Sequence, residues 1–214
     1  MTTTSTTPTQ PLAGKTAATG RDLLLDVACE LFLEHGFDAV SIQQIVSAAQ
    51  MTKASPYYHF KNKDDLFVQA FIRLTDGVFA GVTAALNGEG TLRGRLIAGF
   101  AYLLEFAHPG IPRFFEDFRR VVARTGMEEA MRERHDDHRF QRIYATMFAQ
   151  AVTEGLPLTM TPERAAILLE SFQMGMILTH RVHATAVEAV DHAGAVAMAT
   201  EVIDCFLNGA LSRD

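Results

Sequence analysis

Residues 41–63 read SIQQIVSAAQMTKASPYYHFKNK, and this stretch predicts two short helices joined by a tight turn. Ser41 followed by Gln44 three residues later is a capping-box pattern, which marks the start of a helix. The apolar residues that follow have the spacing of one buried helical stripe: Ile42, Ile45, Val46 and Ala49. Thr52 is a natural N-cap, so we expect the second helix over about 52–59. The pattern as a whole predicts a helix-turn-helix.

The charge of this region differs from that of the chain around it. Residues 39–63 carry three lysines and no Asp or Glu, whereas the whole chain has 19 Lys and Arg against 25 Asp and Glu, a net charge of −6. An acidic protein that keeps one segment free of carboxylates is expected to present that segment to a negative partner. Double-stranded DNA is the leading candidate, because neutralised phosphates supply most non-specific binding energy.

The residue types of the second helix suit contact with DNA. Lys53 can donate to guanine or phosphate, Ser55 can pair with several bases, and Tyr57 and Tyr58 offer rings and hydroxyls. Two further positions could meet backbone phosphates: His59 and Lys63. We expect Phe60 to be core. The alternative is a structural helical hairpin whose lysines form a solvated edge.

Residues 21–70 resemble the DNA-binding domain of the TetR (tetracycline repressor) family. The resemblance rests on an ordered set of features: an apolar helix ending in Leu-Phe, the Gly36-Phe37 break, the Ser41 cap, the Tyr-Tyr-His-Phe box at 57–60, and Lys63 before an acidic helix start. This set is more specific than a generic helix-turn-helix. It covers roughly a quarter of the chain, and the remainder is similar to the family in length and helical content.

The resemblance implies a role for each position of the motif. Residues that would face bases are Lys53, Ala54, Ser55, Tyr57 and Tyr58. Residues that would hold phosphates, and so position the module without reading sequence, are Ser41, Thr52, His59 and Lys63. The chain departs from the family pattern at Gln50, where the turn often has Gly. Pro56 lies early in the expected recognition helix, and it must fit the first turn or distort it.

Composition and length predict three segments. Residues 1–19 are Thr-rich and lack the basic and apolar regions of a signal peptide, so we expect a disordered arm. Residues 20–66 would form the DNA-binding domain, and 67–214 an effector-binding and dimerisation domain. No uncharged apolar stretch approaches the ~20 residues of a membrane span. Cys29 and Cys205 are expected as buried free thiols, which favours a cytoplasmic location.

The chain beyond residue 63 predicts helices and no strands. Asp64-Asp65 starts a helix that should run to about 87, with its carboxylates at the positive end of the helix dipole. Breaks rich in Gly and Pro separate further helices, which we expect at about 91–107, 111–124, 127–155, 162–185 and 190–211. The expected fold class is therefore all-α, with a three-helix DNA-binding domain before a larger helical domain.

The helices at 162–185 and 190–211 are expected to form a homodimer interface. Apolar residues cover well over half of the first helix, more than the stripe of about 100° that a surface helix needs. Ser171 and Gly175 would allow close approach of another helix. The last helix would add a second apolar set: Val196, Val202, Ile203, Phe206, Leu207 and Ala210. The resemblance implies the same arrangement, a four-helix bundle between subunits. The alternative is burial within one subunit.

The resemblance also implies an effector pocket in the second domain. Pockets are mostly apolar with a few polar anchors, which makes a bulky apolar or aromatic ligand the hypothesis. The candidate wall residues are Phe114, Phe115, Phe118, Phe140, Tyr144, Met147, Phe172 and Met176, and the candidate polar anchors are His138 and Gln141. Ordinary core is the alternative for each wall residue. The apolar residues of 127–155 change face near residue 139, which indicates a kink or burial on both sides.

No motif in the chain points to an enzyme, a cofactor or a metal. A Gly-rich phosphate loop, a nucleophile elbow, HExxH and a convincing carboxylate pair are all absent from the sequence. His135 and His138, three apart without a second pair, are a weak metal signal. The expected function is a dimeric repressor released from a palindromic operator by a small apolar or aromatic ligand. The open alternative is the same DNA-binder acting as an activator or as a constitutive factor without a ligand.

Overall fold

The computed structural model describes residues 19–52, 55–106, 108–126, 138–183 and 191–210. Over these residues the chain forms eight α-helices, one short 3₁₀ helix and no β-strand, which confirms the all-α prediction. The helices are α1 (Gly20–His35), α2 (Ile42–Ala48), the 3₁₀ helix (Ser55–Tyr58), α3 (Lys63–Leu86), α4 (Leu92–Glu105), α5 (Ile111–Thr125), α6 (Arg139–Thr153), α7 (Pro162–His183) and α8 (His192–Ala210). The apolar residues of 127–155 were expected to change helical face near residue 139. Residues 127–137 of that range lie outside the described residues.

The chain divides into two compact units, which meet in sequence between Gly77 and Val78, inside α3. This packing division is later than the expected domain boundary after residue 66. The reason is that the first turns of α3 complete the core of the first unit. Phe67 is fully buried, and its ring centroid lies 4.9 Å from those of both Phe32 and Phe37. Edge-to-face aromatic contacts of this kind add to the stabilisation from burial alone.

Local hydrogen bonds start the first two helices. The Thr19 side chain accepts from the Asp22 backbone N–H, and the Asp22 carboxylate accepts from the backbone N–H of Thr19. Ser41 and Gln44 form the same reciprocal pair before α2, as the sequence predicts. These bonds satisfy N–H groups that a helix leaves without partners at its first turn.

Helix α3 is long and apolar enough to cross a bilayer, judged by length and composition alone. Its packing is that of a core helix, because Leu66, Phe67 and Phe71 are almost completely buried within the protein. The helix also carries Arg73, whose guanidinium is paired with carboxylates of α1. A buried apolar face with paired charges beside it is expected of a helix inside a globular domain.

The second unit is built around two helix pairs, α4 with α8 and α6 with α7. Small residues at the centre of this unit, including Ala165, Ala166, Ala195 and Ala199, are fully buried. They allow the helices to approach closely around larger side chains. On the outer side, the Arg93 guanidinium of α4 forms a bidentate pair with Asp204 of α8, with N–O distances of 2.5 and 2.8 Å.

The structure corrects the expected interface residues of the last helix. Four of the predicted residues are buried within the subunit, in the core that α8 shares with α4: Val202, Ile203, Phe206 and Leu207. Helix α7 divides its apolar residues between two faces. Leu169 is fully buried in its own chain, whereas four large apolar residues are 40–51% exposed: Ile167, Leu168, Phe172 and Met174.

The two cysteines have different environments. Cys29 is buried as expected, its thiol donates to the carbonyl of Ala70 at 3.0 Å, and burial raises its pKa to about 12. Cys205 is exposed on α8, which contradicts the expectation that both thiols are buried. The helical periodicity places Cys205 beside Asp204 on the outer side of α8, and the buried stripe passes through Ile203 and Phe206 instead.

Candidate nucleic-acid interface

The turn after α2 contains a residue in the left-handed conformation. Gln50 has φ 54°, and the Met51 N–H donates to the Val46 carbonyl at 3.0 Å while the Gln50 N–H donates to the Ser47 carbonyl at 3.2 Å. This pair of bonds is a Schellman motif, which normally favours glycine at the left-handed position. The tight turn predicted from the sequence is therefore present, and Gln50 adopts the conformation that its side chain disfavours.

The second element of the motif is shorter than predicted and of a different type. In place of an α-helix over 52–59, the described residues form a 3₁₀ helix over Ser55–Tyr58. Pro56 explains the difference, because a proline lacks the N–H for a helical hydrogen bond and disfavours α geometry in the residue before it. Its carbonyl accepts from the backbone N–H groups of His59 and Phe60, at 3.0 and 2.8 Å. Lys53 and Ala54 lie outside the described residues.

The two tyrosines of this element point away from the core. Tyr57 is 66% exposed and Tyr58 is 81% exposed, and His59 beside them is also exposed. Phe60 is 3% exposed, as expected of a core residue, and the Arg21 guanidinium lies 5.7 Å from its ring centroid. Buried Pro56 and Phe60 thus anchor a short segment whose aromatic side chains face outward. Two adjacent exposed tyrosines are a feature that core packing does not explain.

The side chains expected to contact phosphate differ in the contacts that they make within the protein. The Ser41 hydroxyl accepts from the Gln44 N–H at 3.2 Å and donates to the Gln44 side chain at 2.8 Å. Lys63 begins α3, and its ammonium lies 4.2 Å from the centroid of the Phe37 ring. Thr52 is exposed. These positions lie around the turn, and their contacts with phosphate stay predictions.

A network of polar side chains fixes α1 against the start of α3. The Arg73 guanidinium donates to both carboxylate oxygens of Asp26, at 2.6 and 3.1 Å, and to Asp22 at 3.0 Å. Hydrogen bonds from Thr19, with a smaller effect from Arg73, hold the pKa of Asp22 below its ordinary value. Arg21 donates to Gln69, which donates to Asp65. Sequence reasoning missed this network, because its members are far apart in the chain.

The predicted ligand-binding residues do not form one group. Tyr144 and Met147 are buried in the core of the second unit, and Phe140 and Met176 pack against that core. On α5, Phe114 is fully buried, and Phe118 is half-buried. Phe115 and Phe172 are 44% and 51% exposed, so they do not line the interior of this chain.

The predicted polar anchors lie at the start of α6. His138 is exposed at the N-cap position, and its Nδ1 lies 3.1 Å from Oε1 of the half-buried Gln141. Within the part of the chain that the structure describes, no group of three or more His, Cys, Asp or Glu could hold a metal ion. His135, the other histidine of the weak metal signal, lies outside that part.

The buried polar pair of the second unit is a different one, Tyr144 with Gln173. The Tyr144 hydroxyl donates to Oε1 of Gln173 at 2.9 Å, and the two residues are 1% and 3% exposed. Sequence reasoning did not select Gln173, although a signal was available. Gln173 continues the buried stripe of Ala166, Leu169 and Ile177 along α7, so a polar residue occupies a core position.

Comparison with known sequences places the motif in a family. The model of the family described as bacterial regulatory proteins, tetR family, matches residues 24–70. The HTH-type transcriptional regulator QacR of Staphylococcus aureus is 41% identical over 49 residues, which are 23% of this chain and 26% of QacR. The HTH-type transcriptional repressor KstR2 of Rhodococcus jostii is 25% identical over 120 residues, which are 54% of this chain and 57% of KstR2.

The fold of most of the chain is also found among solved structures. A structure described as a putative TetR-family transcriptional regulator from Mesorhizobium loti aligns with 92% of this chain and with all of that chain, with a TM-score of 0.67 and 17% identity. At that identity the likeness concerns the fold. The sequence matches span from about a quarter to somewhat over half of the curated relatives. Both curated relatives are named as regulators and not as enzymes.

Proposed function

We propose that the chain is a homodimeric transcriptional regulator that reads a palindromic operator, because residues 24–70 match the model of the tetR family of bacterial regulatory proteins. The observation that carries the proposal is the exposed pair Tyr57 and Tyr58, presented beside a turn in a segment without carboxylates. Exposed rings and hydroxyls on a recognition element can reach base edges in the major groove. The protein acts as a regulator and not as an enzyme.

The electrostatics of the first unit support DNA as the partner. Lys53, Lys61 and Lys63 are the only formal charges between residues 39 and 63, so this segment offers cations to phosphates and contains no carboxylate of its own. The polar side chains expected around the tyrosines are Ser41, Thr52, Ser55 and His59, with Ala54 facing thymine methyl groups or sugar. In this arrangement phosphate contacts position the module, and the tyrosines and Lys53 read the bases.

The exposed face of α7 supports a homodimer. Ile167, Leu168, Phe172 and Met174 leave large apolar side chains 40–51% exposed along one helix, and Gly175 has no atom within 4 Å of the position where a Cβ would stand. Burying such a face on a second copy gains roughly 25 cal/mol for each Å² of apolar surface. A two-fold pair of recognition elements would read two half-sites about 34–36 Å apart.

We propose repression with release by a small apolar or aromatic effector bound in the second unit of a cytoplasmic protein. The relative KstR2 is named a repressor, which supports this sign of regulation. A ligand that prefers one conformation of the dimer shifts it toward that conformation and so changes the match to the groove. The candidate contact residues that lie in or against the core of the second unit are Phe140, Tyr144, Met147 and Met176.

The test is selection of binding sites from random duplex DNA by the purified full-length protein, followed by sequencing. We expect enrichment of a palindrome, and we expect none with the variant in which Tyr57 and Tyr58 are both Ala. A selected site placed before a reporter gene then shows the direction of regulation, because a repressor lowers expression of the reporter and an activator raises it. Failure to enrich any sequence at low salt would refute operator reading.

A further inference from the structure

Two buried side-chain atoms of the second unit lack a hydrogen-bond partner among the described residues, Oγ1 of Thr83 and Nε2 of Gln173, and only Gln173 is a core residue by its exposure. Gln173 is 3% exposed on α7, and its carbonyl oxygen accepts from the Tyr144 hydroxyl. Its Nε2 has no hydrogen-bond partner among the residues that the structure describes. Buried amide donors are almost always satisfied in folded proteins, so an unsatisfied one requires a specific explanation.

Among the described residues, no side chain supplies the missing acceptor of Gln173. The large side chains in the same buried cluster are apolar: Met147 and Phe148 on α6, Leu169 and Ile177 on α7, and Phe206 on α8. The backbone carbonyls within these helices already accept hydrogen bonds from the next turn. The amide therefore presents two N–H groups to an apolar interior.

We propose that Tyr144 and Gln173 are the polar anchor of the effector site, and that the effector is a neutral apolar molecule with one hydrogen-bond acceptor, such as a ketone. The acceptor oxygen would take the proton of Gln173 Nε2, and the apolar body would contact Met147, Phe148 and Leu169. This rests on the proposed function, and it adds the chemistry that the effector must have. Pockets of this kind combine apolar walls with very few polar groups that fix the orientation of the ligand.

The charges near the pair explain why the acceptor should be neutral. Burial raises the pKa of Tyr144 well above its ordinary value, the bond with Gln173 opposes that rise, and the Glu170 carboxylate adds to it. Tyr144 is therefore a neutral donor at physiological pH. Glu170 is half-buried on α7, the helix that carries Gln173, and its carboxylate would repel an anionic ligand. A carboxylate would also lose its hydration in this apolar core, a cost that is much smaller for a neutral carbonyl.

The role of Tyr144 in this site is to orient Gln173. Because the hydroxyl donates to Oε1, the amide plane is set and its NH₂ group turns away from Tyr144. A free glutamine amide could present either end to a ligand. Tyr144 is thus a positioning residue, and Gln173 is the residue that selects an acceptor.

The first test asks whether the pair exists for stability or for a ligand. The double variant Tyr144→Phe with Gln173→Met replaces both partners with apolar groups of similar length. We expect its urea midpoint to equal or exceed that of the wild type, because the unsatisfied donor is removed. The single variant Tyr144→Phe is the matched control and should be less stable than the double variant, since it leaves the whole amide unpaired. A double variant that unfolds more easily than Tyr144→Phe would make the pair structural and overturn the proposal.

The second test measures the affinity of the wild-type protein for three matched probes by calorimetry. Acetylnaphthalene carries a neutral acceptor, ethylnaphthalene has nearly the same shape without one, and naphthoate carries an anion. We expect the ketone to bind about tenfold more tightly than the hydrocarbon, the value of one added hydrogen bond. Naphthoate should bind more weakly than the ketone, and Gln173→Met should bind ketone and hydrocarbon equally.

Equal affinity of the wild type for ketone and hydrocarbon, or no binding of any probe, would overturn the proposal. So would a preference for the ketone that survives in Gln173→Met. Operator binding measured on the same preparations separates this result from the proposed function. If the protein binds operator but does not prefer the ketone, only the proposed effector chemistry is refuted. If the protein prefers the ketone but enriches no DNA sequence, only the proposed reading of an operator is refuted.

Discussion

Gln50 is the only residue other than glycine with a positive φ in the part of the chain that the structure describes. We predict that Gln50→Gly stabilises the protein by about 1 kcal/mol, because glycine adopts the left-handed conformation without a steric cost. The matched control is Gln43→Gly, in the first turn of α2, which should lose stability, by at most about 1 kcal/mol. Urea unfolding of both variants checks the signs. A loss of stability in Gln50→Gly would mean that its side chain makes a compensating contact.

Tyr58 is the most exposed large side chain of the recognition element, so its removal should affect binding more than folding. We predict that Tyr58→Ala weakens specific operator binding by about 1–3 kcal/mol. Tyr58→Phe keeps the ring and removes the hydroxyl, so its affinity separates the contribution of ring contacts from that of the hydroxyl. Fluorescence anisotropy with labelled operator gives the affinities, and circular dichroism checks the fold. Wild-type affinity in Tyr58→Ala would remove this residue from the interface.

Lys63 combines a packed stem with a charged end near the expected path of the phosphates. Lys63→Met keeps apolar contact with the Phe37 ring and removes the charge that lies 4.2 Å from its centroid. We predict a similar loss of affinity for operator and for unrelated DNA, with the salt dependence reduced by about one unit. Titrations at several salt concentrations check this. A loss confined to operator DNA would contradict a phosphate role.

Helix α1 is held to α3 by Arg73, and the two helices together position the motif between them. We predict that Arg73→Met lowers the free energy of unfolding by about 1 kcal/mol, a value that allows for screening at a part-exposed site. The side chains of Arg73 and Asp22 are each 28% exposed, and that of Asp26 is 37%. Arg93→Met, which breaks the more exposed pair with Asp204, is the control and should cost less. Equal losses of unfolding free energy in the two variants would show that the Arg73 ion pairs contribute no more to stability than the exposed pair does.

The elements of the chain were largely predictable, and the second element of the motif was not. The capping box at Ser41 joins residues three apart, so the sequence alone carries it. The box at Thr19 has the same spacing, but residues 1–19 were expected to form a disordered arm. The 3₁₀ helix at Ser55–Tyr58 reflects the missing N–H of Pro56 and also the burial of Pro56 and Phe60 in the core of the first unit. Residue spacing alone describes a regular helix there, because it contains no account of that packing.

The assembly of two copies depends on surfaces that one subunit leaves exposed. We predict that Ile167→Glu raises the dimer dissociation constant by at least about tenfold, because a charge would be buried in an apolar interface. Val152→Glu is the matched control, since Val152 is 44% exposed on α6 and Ile167 is 49% exposed on α7. Sedimentation equilibrium gives the mass of each variant. An unchanged dimer in Ile167→Glu would move the interface away from this face of α7.

The sequence by itself determined the helical fold, the start of α2 at its Ser41 cap, the tight turn and the class of DNA-binding motif. These features depend on residues that are close in the chain, so local spacing contains the necessary information. Only the tertiary structure decided which faces of the helices are buried. Phe172 is 51% exposed, and its neighbour Gln173 is buried against Tyr144, the reverse of what hydrophobicity predicts for the two. Helix α7 is apolar around most of its circumference, so its own pattern fits more than one orientation. The helices packed against it, with the hydroxyl of Tyr144 on α6, select the orientation that is observed.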